Sequence, residues 1–357
     1  RIIYVDKQMD MSLKIVGLNN EGKCSILNDI FDINAKTTID SLDFISTGIA
    51  FLNHVNLNSN LNLIYDASKN RIDLKENELA LNALKLSLLG YIQVKEEQSI
   101  EMDLKLNSPG TQFKDLFSLI PKAFIKNYQD VKSEGSFLIN ANINGILNQN
   151  LNIYPSWDFV CSVTNGGIQY PGMPVRLSAF NLNMSSKNIG PDLSKLTVDL
   201  NPFSLLLNDK PVNGTLHFED IVDNVHVIGN IKANLDLNDY KQFMPLDKGV
   251  DLSGLIRSDL SFDFRKKQVE LGDFENIALK GDFVISNLIY KDLTMPRVAI
   301  PTMNLEFNPK LCNISNAQIE LGRSDINLKG YIENPLTLLM DEGEIKSNVQ
   351  LKGNVFD

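Results

Sequence analysis

Asn316-Ala317-Gln318-Ile319-Glu320-Leu321-Gly322-Arg323-Ser324-Asp325-Ile326-Asn327-Leu328-Lys329-Gly330-Tyr331-Ile332 reads as two short strands joined by a turn. Ile319 and Leu321 alternate with polar neighbours, Gly322 to Asp325 supply turn residues, and Ile326 and Leu328 resume the alternation. Gly330 closes the second strand before Tyr331 and Ile332. Successive side chains of a strand point to opposite sides, so a strict two-residue period marks a strand with one buried face. Turn residues at the break make the pair a hairpin.

The pattern occurs twice. With Gly90 placed on Gly330, Leu79 falls on Ile319, Leu81 on Leu321, Leu86 on Ile326 and Leu88 on Leu328. Gly90-Tyr91-Ile92 then coincides with Gly330-Tyr331-Ile332, and Asn82-Ala83-Leu84-Lys85 replaces the turn. The match is an internal repeat, and repeats set an architecture before other features do.

A second motif is a strand, a short helix and a strand. Ile100, Met102, Leu104 and Leu106 alternate; Thr111 is placed to cap a helix carrying Phe113, Leu116, Phe117 and Ile120; Pro121 interrupts it; Phe137, Ile139, Ala141 and Ile143 alternate again. Further on, Ile231, Ala233, Leu235 and Leu237 form a strand, and Asn238 caps a helix with Tyr240, Phe243 and Met244 that ends at Pro245. Ile256, Leu260, Phe262 and Phe264 follow as a strand. Leu42, Ile45, Ile49 and Leu52 have helical spacing, which makes Ile33 to Tyr65 a looser third copy. Asn19-Asn20-Glu21-Gly22 reads as a hairpin turn.

The expected fold is therefore mainly β: on the order of 20 strands in a long antiparallel meander with few short α-helices. Such a sheet must curl, twist or split. The whole chain, 1–357, reads as one continuous repetitive region, with repeat units near 26–99, 100–225 and 226–357. It starts in strand-like sequence without Met and stops where the next short helix is due, so a longer parent protein is expected.

Composition narrows the function. The 357 residues carry a net charge of −10 and are 43% hydrophobic. An acidic chain gains nothing from counterion release on nucleic acid, and anionic lipid surfaces do not attract it at long range. A membrane role would have to use apolar surface. No apolar run approaches the roughly 18–20 residues of a membrane-spanning helix. Cys24, Cys161 and Cys312 lack metal-ligand spacing and read as isolated small residues in strands. No cofactor or metal motif is present.

Candidate chemistry is sparse. His217 and Glu219 share a strand face and could form an acid–base pair, but an exposed polar face explains them more simply. His54 and His226 have no ligand partners nearby in sequence. Ser324 lacks the second glycine of a nucleophile elbow, since Ile326 stands there. The glycosylation sequons at Asn183, Asn213 and Asn313 are too short to carry weight. With one Trp in the chain, a carbohydrate-binding module is disfavoured.

Ile319-Glu320-Leu321-Gly322-Arg323-Ser324-Asp325, the alternation to Gly330, Asn334 and Pro335-Leu336-Thr337-Leu338-Leu339 resemble the C-terminal regions of AsmA-like bacterial envelope proteins. Ala233 to Tyr240 is similar to that family's strand entering its short helix. The resemblance implies a curled sheet forming a groove, apolar within, that accommodates phospholipid acyl chains and contributes to lipid transport or outer-membrane biogenesis. It implies a periplasmic location and an inner-membrane anchor that this sequence lacks. It carries over no catalytic residue. The groove-lining candidates are Ile100, Met102, Leu104, Ile139, Ala141, Ile143, Leu235, Leu237, Phe262, Ile319, Leu321, Ile326 and Leu328. The competing expectation is a non-enzymatic scaffold that binds envelope proteins through open sheet edges. An enzyme comes third.

Overall fold

Alternating sequence becomes ladder in most of the chain. The structure is a computed structural model and describes residues 1–7, 10–46, 49–108, 110–113, 115, 132–169, 176–240, 249–294, 296–339, 345–353 and 355. The described residues form 21 strands and two short α-helices, joined by turns and 3-10 segments. The chain divides into two units, one of residues 1–171 and 182–198, the other of 172–181 and 199–357. Strand β12 (Arg176–Asn188) is shared between them, and the first two residues of the strand that begins at Thr197 also belong to the first unit.

The first unit holds β1 (Ile2–Asp6), β2 (Met11–Val16), β3 (Asn19–Leu27), β4 (Ile30–Ser46), β5 (Ile49–Asp66), β6 (Arg71–Leu81), β7 (Leu84–Val94), β8 (Ile100–Asn107), β9 (Thr111–Gln112), β10 (Lys132–Leu147) and β11 (Ser156–Gln169). Each of β4 to β7 pairs antiparallel with the next, and β8, β10 and β11 continue the series. Long strands take two short partners on one edge: β3 lines Ile30–Thr38 of β4 and β2 lines Ser41–Ser46. In the same way β8 and β9 divide the edge of β10.

The second unit holds β13 (Thr197–Leu207), β14 (Lys210–Glu219), β15 (His226–Asp236), β16 (Asp251–Arg265), β17 (Ala278–Lys291), β18 (Val298–Phe307), β19 (Leu311–Leu321), β20 (Ser324–Glu333) and β21 (Lys346–Lys352). From β14 to β21 every strand pairs antiparallel with its sequence neighbour. Helix α1 (Leu237–Tyr240) follows β15, and α2 (Lys266–Glu270) follows β16.

The repeated hairpin holds in register. Leu79 opposes Leu86 as Ile319 opposes Ile326. Both copies also carry a bulge at the same place, between Leu74 and Asn77 and between Ile314 and Ala317.

Several local expectations are corrected. Residues 41–46 and 49–52 are strand, not helix. Bulges in the β4–β5 ladder, between Ile39 and Leu42 and again at Phe44, insert extra residues. Inward side chains then fall three apart, Ile39 and Leu42 both being buried, and a bulged strand imitates a helix in its spacing. Asn19 to Gly22 lie inside β3. The turn is Asn28-Asp29, whose φ values of 47° and 63° fit the two left-handed positions of a type I′ hairpin; Asn208-Asp209 repeats it at 45° and 64°. Gly330 kinks β20 but does not end it, since the strand runs to Glu333. Leu237 opens α1 and is not in β15, so Asn238 lies inside the helix and its N–H donates to the Asp236 side chain at 3.0 Å. Thr111 is strand; Asp115 takes the Gln112 N–H instead. Leu116 to Pro121 and Phe243 to Pro245 lie outside the described residues.

Candidate functional site: an apolar sheet face in each unit

Directly opposed residues in a ladder share a face, so register traces a face across strands. In the second unit one row crosses eight strands: Val212, Ala233, Ser258, Phe283, Leu305, Ile314, Gly330 and Val349. The row beside it runs Leu235, Ile256, Ile285, Met303, Ala317, Leu328 and Leu351. Phe283 and Phe307 stack on this side, ring centroids 5.3 Å apart. In the first unit a row runs Cys24, Ile33, Leu63, Leu74, Gly90, Leu104, Ile143 and Trp157.

The sequence-derived candidates fall on these faces. Leu104 opposes Ile143, Met102 opposes Gly145 and Ala141 opposes Leu106; Ile100 and Ile139 extend the same alternation. Leu235, Phe262, Ile319, Ile326 and Leu328 lie on the face of the second unit, with Leu321 at its exposed hairpin end. Leu237 is buried in α1, at the border of β15 and β16. Phe113 is likewise buried, its ring beside Gly166 and Val163 at one end of the first unit.

These faces are apolar without being closed. In β16, Ile256, Leu260, Phe262 and Phe264 are all half-buried, as are Leu63, Leu74, Leu104 and Ile143 in the first unit. A sandwich would bury such residues under a second sheet. Among the described residues, these apolar side chains keep part of their surface accessible.

The other face is polar and hydrogen-bonded across strands. His217 Nδ1 lies 2.7 Å from Asp199, and its Nε2 lies 3.7 Å from Glu219. Glu219 is paired with His226, which holds its carboxyl below the usual range. Ser324 is buried at the start of β20 opposite Leu321, on a strand and not before a helix. The three cysteines are free thiols. Burial pushes the thiols of Cys161 and Cys312 up, away from the thiolate that nucleophilic chemistry requires. Among the described residues no group of three or more His, Cys, Asp or Glu is placed to hold a metal ion. None of the described helices is long and apolar enough to cross a membrane.

Sequence reasoning missed the cross-strand partners of the histidines, because Asp199 and Asp263 stand far from them along the chain. Comparison with protein-family models, curated proteins and solved structures gives no match.

Proposed function

We propose that this chain is a non-catalytic β-sheet scaffold whose working surface is the apolar face of each unit. The observation that carries the reading is the continuous row from Val212 to Val349, apolar or small at every strand, with Ala233, Ser258 and Ile314 buried and the other five half-buried. A scaffold of this kind presents surface and performs no bond chemistry. Its partners are envelope proteins or lipids that cover the face.

The half-buried state of the face favours a second, finer reading, in which phospholipid acyl chains are the occupant. Each buried CH₂ contributes roughly 0.8 kcal/mol, so a smooth apolar row holds a chain without a specific site. The resemblance to AsmA-like proteins points the same way. It adds a sheet curled into a groove, a periplasmic location and an anchor in the inner membrane. Nucleic acid and cofactors have no place in either reading.

Native mass spectrometry of the protein mixed with phosphatidylethanolamine and phosphatidylglycerol vesicles separates the two. Lipid transport predicts soluble protein–phospholipid complexes, reduced at least tenfold by Leu104→Asp together with Phe262→Asp while circular dichroism stays unchanged. Failure to take up phospholipid, with the protein folded, sinks the lipid reading and leaves the protein scaffold.

A further inference from the structure

The polar face of the second unit carries a row of titratable groups that the scaffold does not need. Asp199 (β13), His217 and Glu219 (β14), His226 (β15) and Asp263 (β16) stand side by side across four strands. His226 is the centre. Its Nδ1 lies 2.7 Å from Glu219 and its Nε2 2.6 Å from Asp263. The side chain is 16% exposed. A neutral imidazole has one donor nitrogen, so only the imidazolium donates to both carboxylates at once.

We propose that His226 is a cross-strand proton switch: as the imidazolium it bridges Glu219 and Asp263 and pins β14 and β16 to β15, and on losing its proton it releases that end of the ladder. The location suits the role. Glu219 ends β14, His226 begins β15 and Arg265 ends β16, so the bridge lies at one end of three strands, next to the Lys266 N–H bond to the Val225 carbonyl at 2.8 Å. The facing charges are Glu219 and His217 from β14, with Asp199 behind His217, and Asp263 and Arg265 from β16. Arg265 is held by Asp220 at 2.6 Å and the Asn224 carbonyl at 3.3 Å, and its charge still opposes protonation of the imidazole. Asp263 also borders an open cleft of about 530 Å³ with Ile228, Ile277, Leu279 and Lys310, so the switch and the cleft share a wall.

The pairing with Asp263, and with Glu219, raises the His226 pKa against the opposing effects of burial and of the Arg265 charge. A raised folded-state pKa stabilises fully below the ordinary imidazole value of about 6.5 and is lost as pH rises through the raised value. Glu219, whose pKa is lowered, stays anionic in mild acid and sets the lower limit of the window.

NMR titration of the His226 ring and amide hydrogen exchange in the intact chain test this. The ring should titrate above the ordinary value. Protection at the ends of β14, β15 and β16, corrected for intrinsic exchange, should fall about tenfold for each unit by which the pKa is raised. His226→Gln should abolish that pH dependence and His217→Gln should keep it. A ring that titrates at or below the ordinary value, or wild-type protection unchanged across the window, overturns the proposal. Should His226→Gln fail to fold, the wild-type titration and exchange decide alone.

Discussion

The hairpins β6–β7 and β19–β20 are two solutions to one problem. Each must bend a strand in mid-course while keeping one face apolar. Both do so with a bulge in the first strand and a glycine opposite it, Gly90 at φ +126° and Gly330 at φ +148°. They differ in what fills the bulge. In β6 it is Asn77, 1% exposed; in β19 it is Ala317, 0% exposed. The Asn77 side chain accepts the Asn62 N–H at 2.7 Å and donates to the Asn62 carbonyl at 3.2 Å and the Lys75 carbonyl at 2.7 Å. It substitutes for ladder bonds that the bulge in the β5–β6 pairing interrupts. Ala317 has no polar side chain to bond with; Met303 and Leu328 oppose it directly, and the β18–β19 ladder is bulged beside it, between Asn304 and Leu305. The bend is the shared requirement, and the neighbouring ladder is bulged in both copies: beside β6 a side-chain amide bridges the gap, and beside β19 a methyl group packs against it.

The largest effect expected from this comparison is at the glycines. A Cβ on Gly90 would stand 1.9 Å from the Asp103 carbonyl oxygen, and one on Gly330 would stand 2.1 Å from that of Asn348. Backbone must move in both cases, and the φ values are unfavourable to any L side chain. Gly90→Ala should cost about 3 kcal/mol or more, read as a lower urea midpoint, because β8 is held between β7 and β10. Gly330→Ala should instead loosen β21, whose partner among the described residues is β20, and show as faster proteolysis near Lys346 with a smaller midpoint change. Equal midpoint losses would break this contrast.

Next in size is the bulge filling. Asn77→Ala leaves the Asn62 N–H and carbonyl without their partners in a buried setting. Such groups cost about 1–3 kcal/mol each to strand, so a loss of about 2 kcal/mol is expected after partial solvation. Urea unfolding checks it. A loss under about 0.5 kcal/mol would mean that water replaces the amide, a smaller effect than burial of this side chain implies.

The same comparison explains what the sequence disclosed. Alternation from Ile319 to Leu328 is local and set by side-chain direction, so hairpin, register and apolar face were all legible. The bulge at Ile39 to Leu42 was not, because an extra residue changes the period from two to three without leaving the strand. Asn28-Asp29 and Asn208-Asp209 could have been recognised as turns from residue type alone, since both positions need positive φ. For the face, alternation named residues that lie together, among them Leu104, Ile143 and Phe262. It could not say that they are half-buried, because exposure depends on what packs against them in three dimensions. The His226 bridge was invisible for a similar reason: its partners come from different strands, and pairing is a property of register.

The smallest effect concerns the turns themselves, and it sharpens the comparison most cleanly. Gly322 sits at φ +62° where its counterpart Asn82 sits at +52°. Asparagine tolerates this left-handed conformation better than other side chains. The nearest foreign atom to a Cβ at Gly322 would be the Pro296 Cβ at 3.6 Å, an ordinary contact. Gly322→Asn should therefore change stability by no more than about 0.5 kcal/mol, since lost freedom in the unfolded chain offsets the conformational cost. Gly322→Val, with the same space but a branched side chain at positive φ, should cost about 1–2 kcal/mol. If both substitutions cost the same, the turn tests space and not backbone conformation. The equivalence of Asn82 and Gly322 would then reduce to chance. If only valine is penalised, the two hairpins share a backbone requirement that either residue meets.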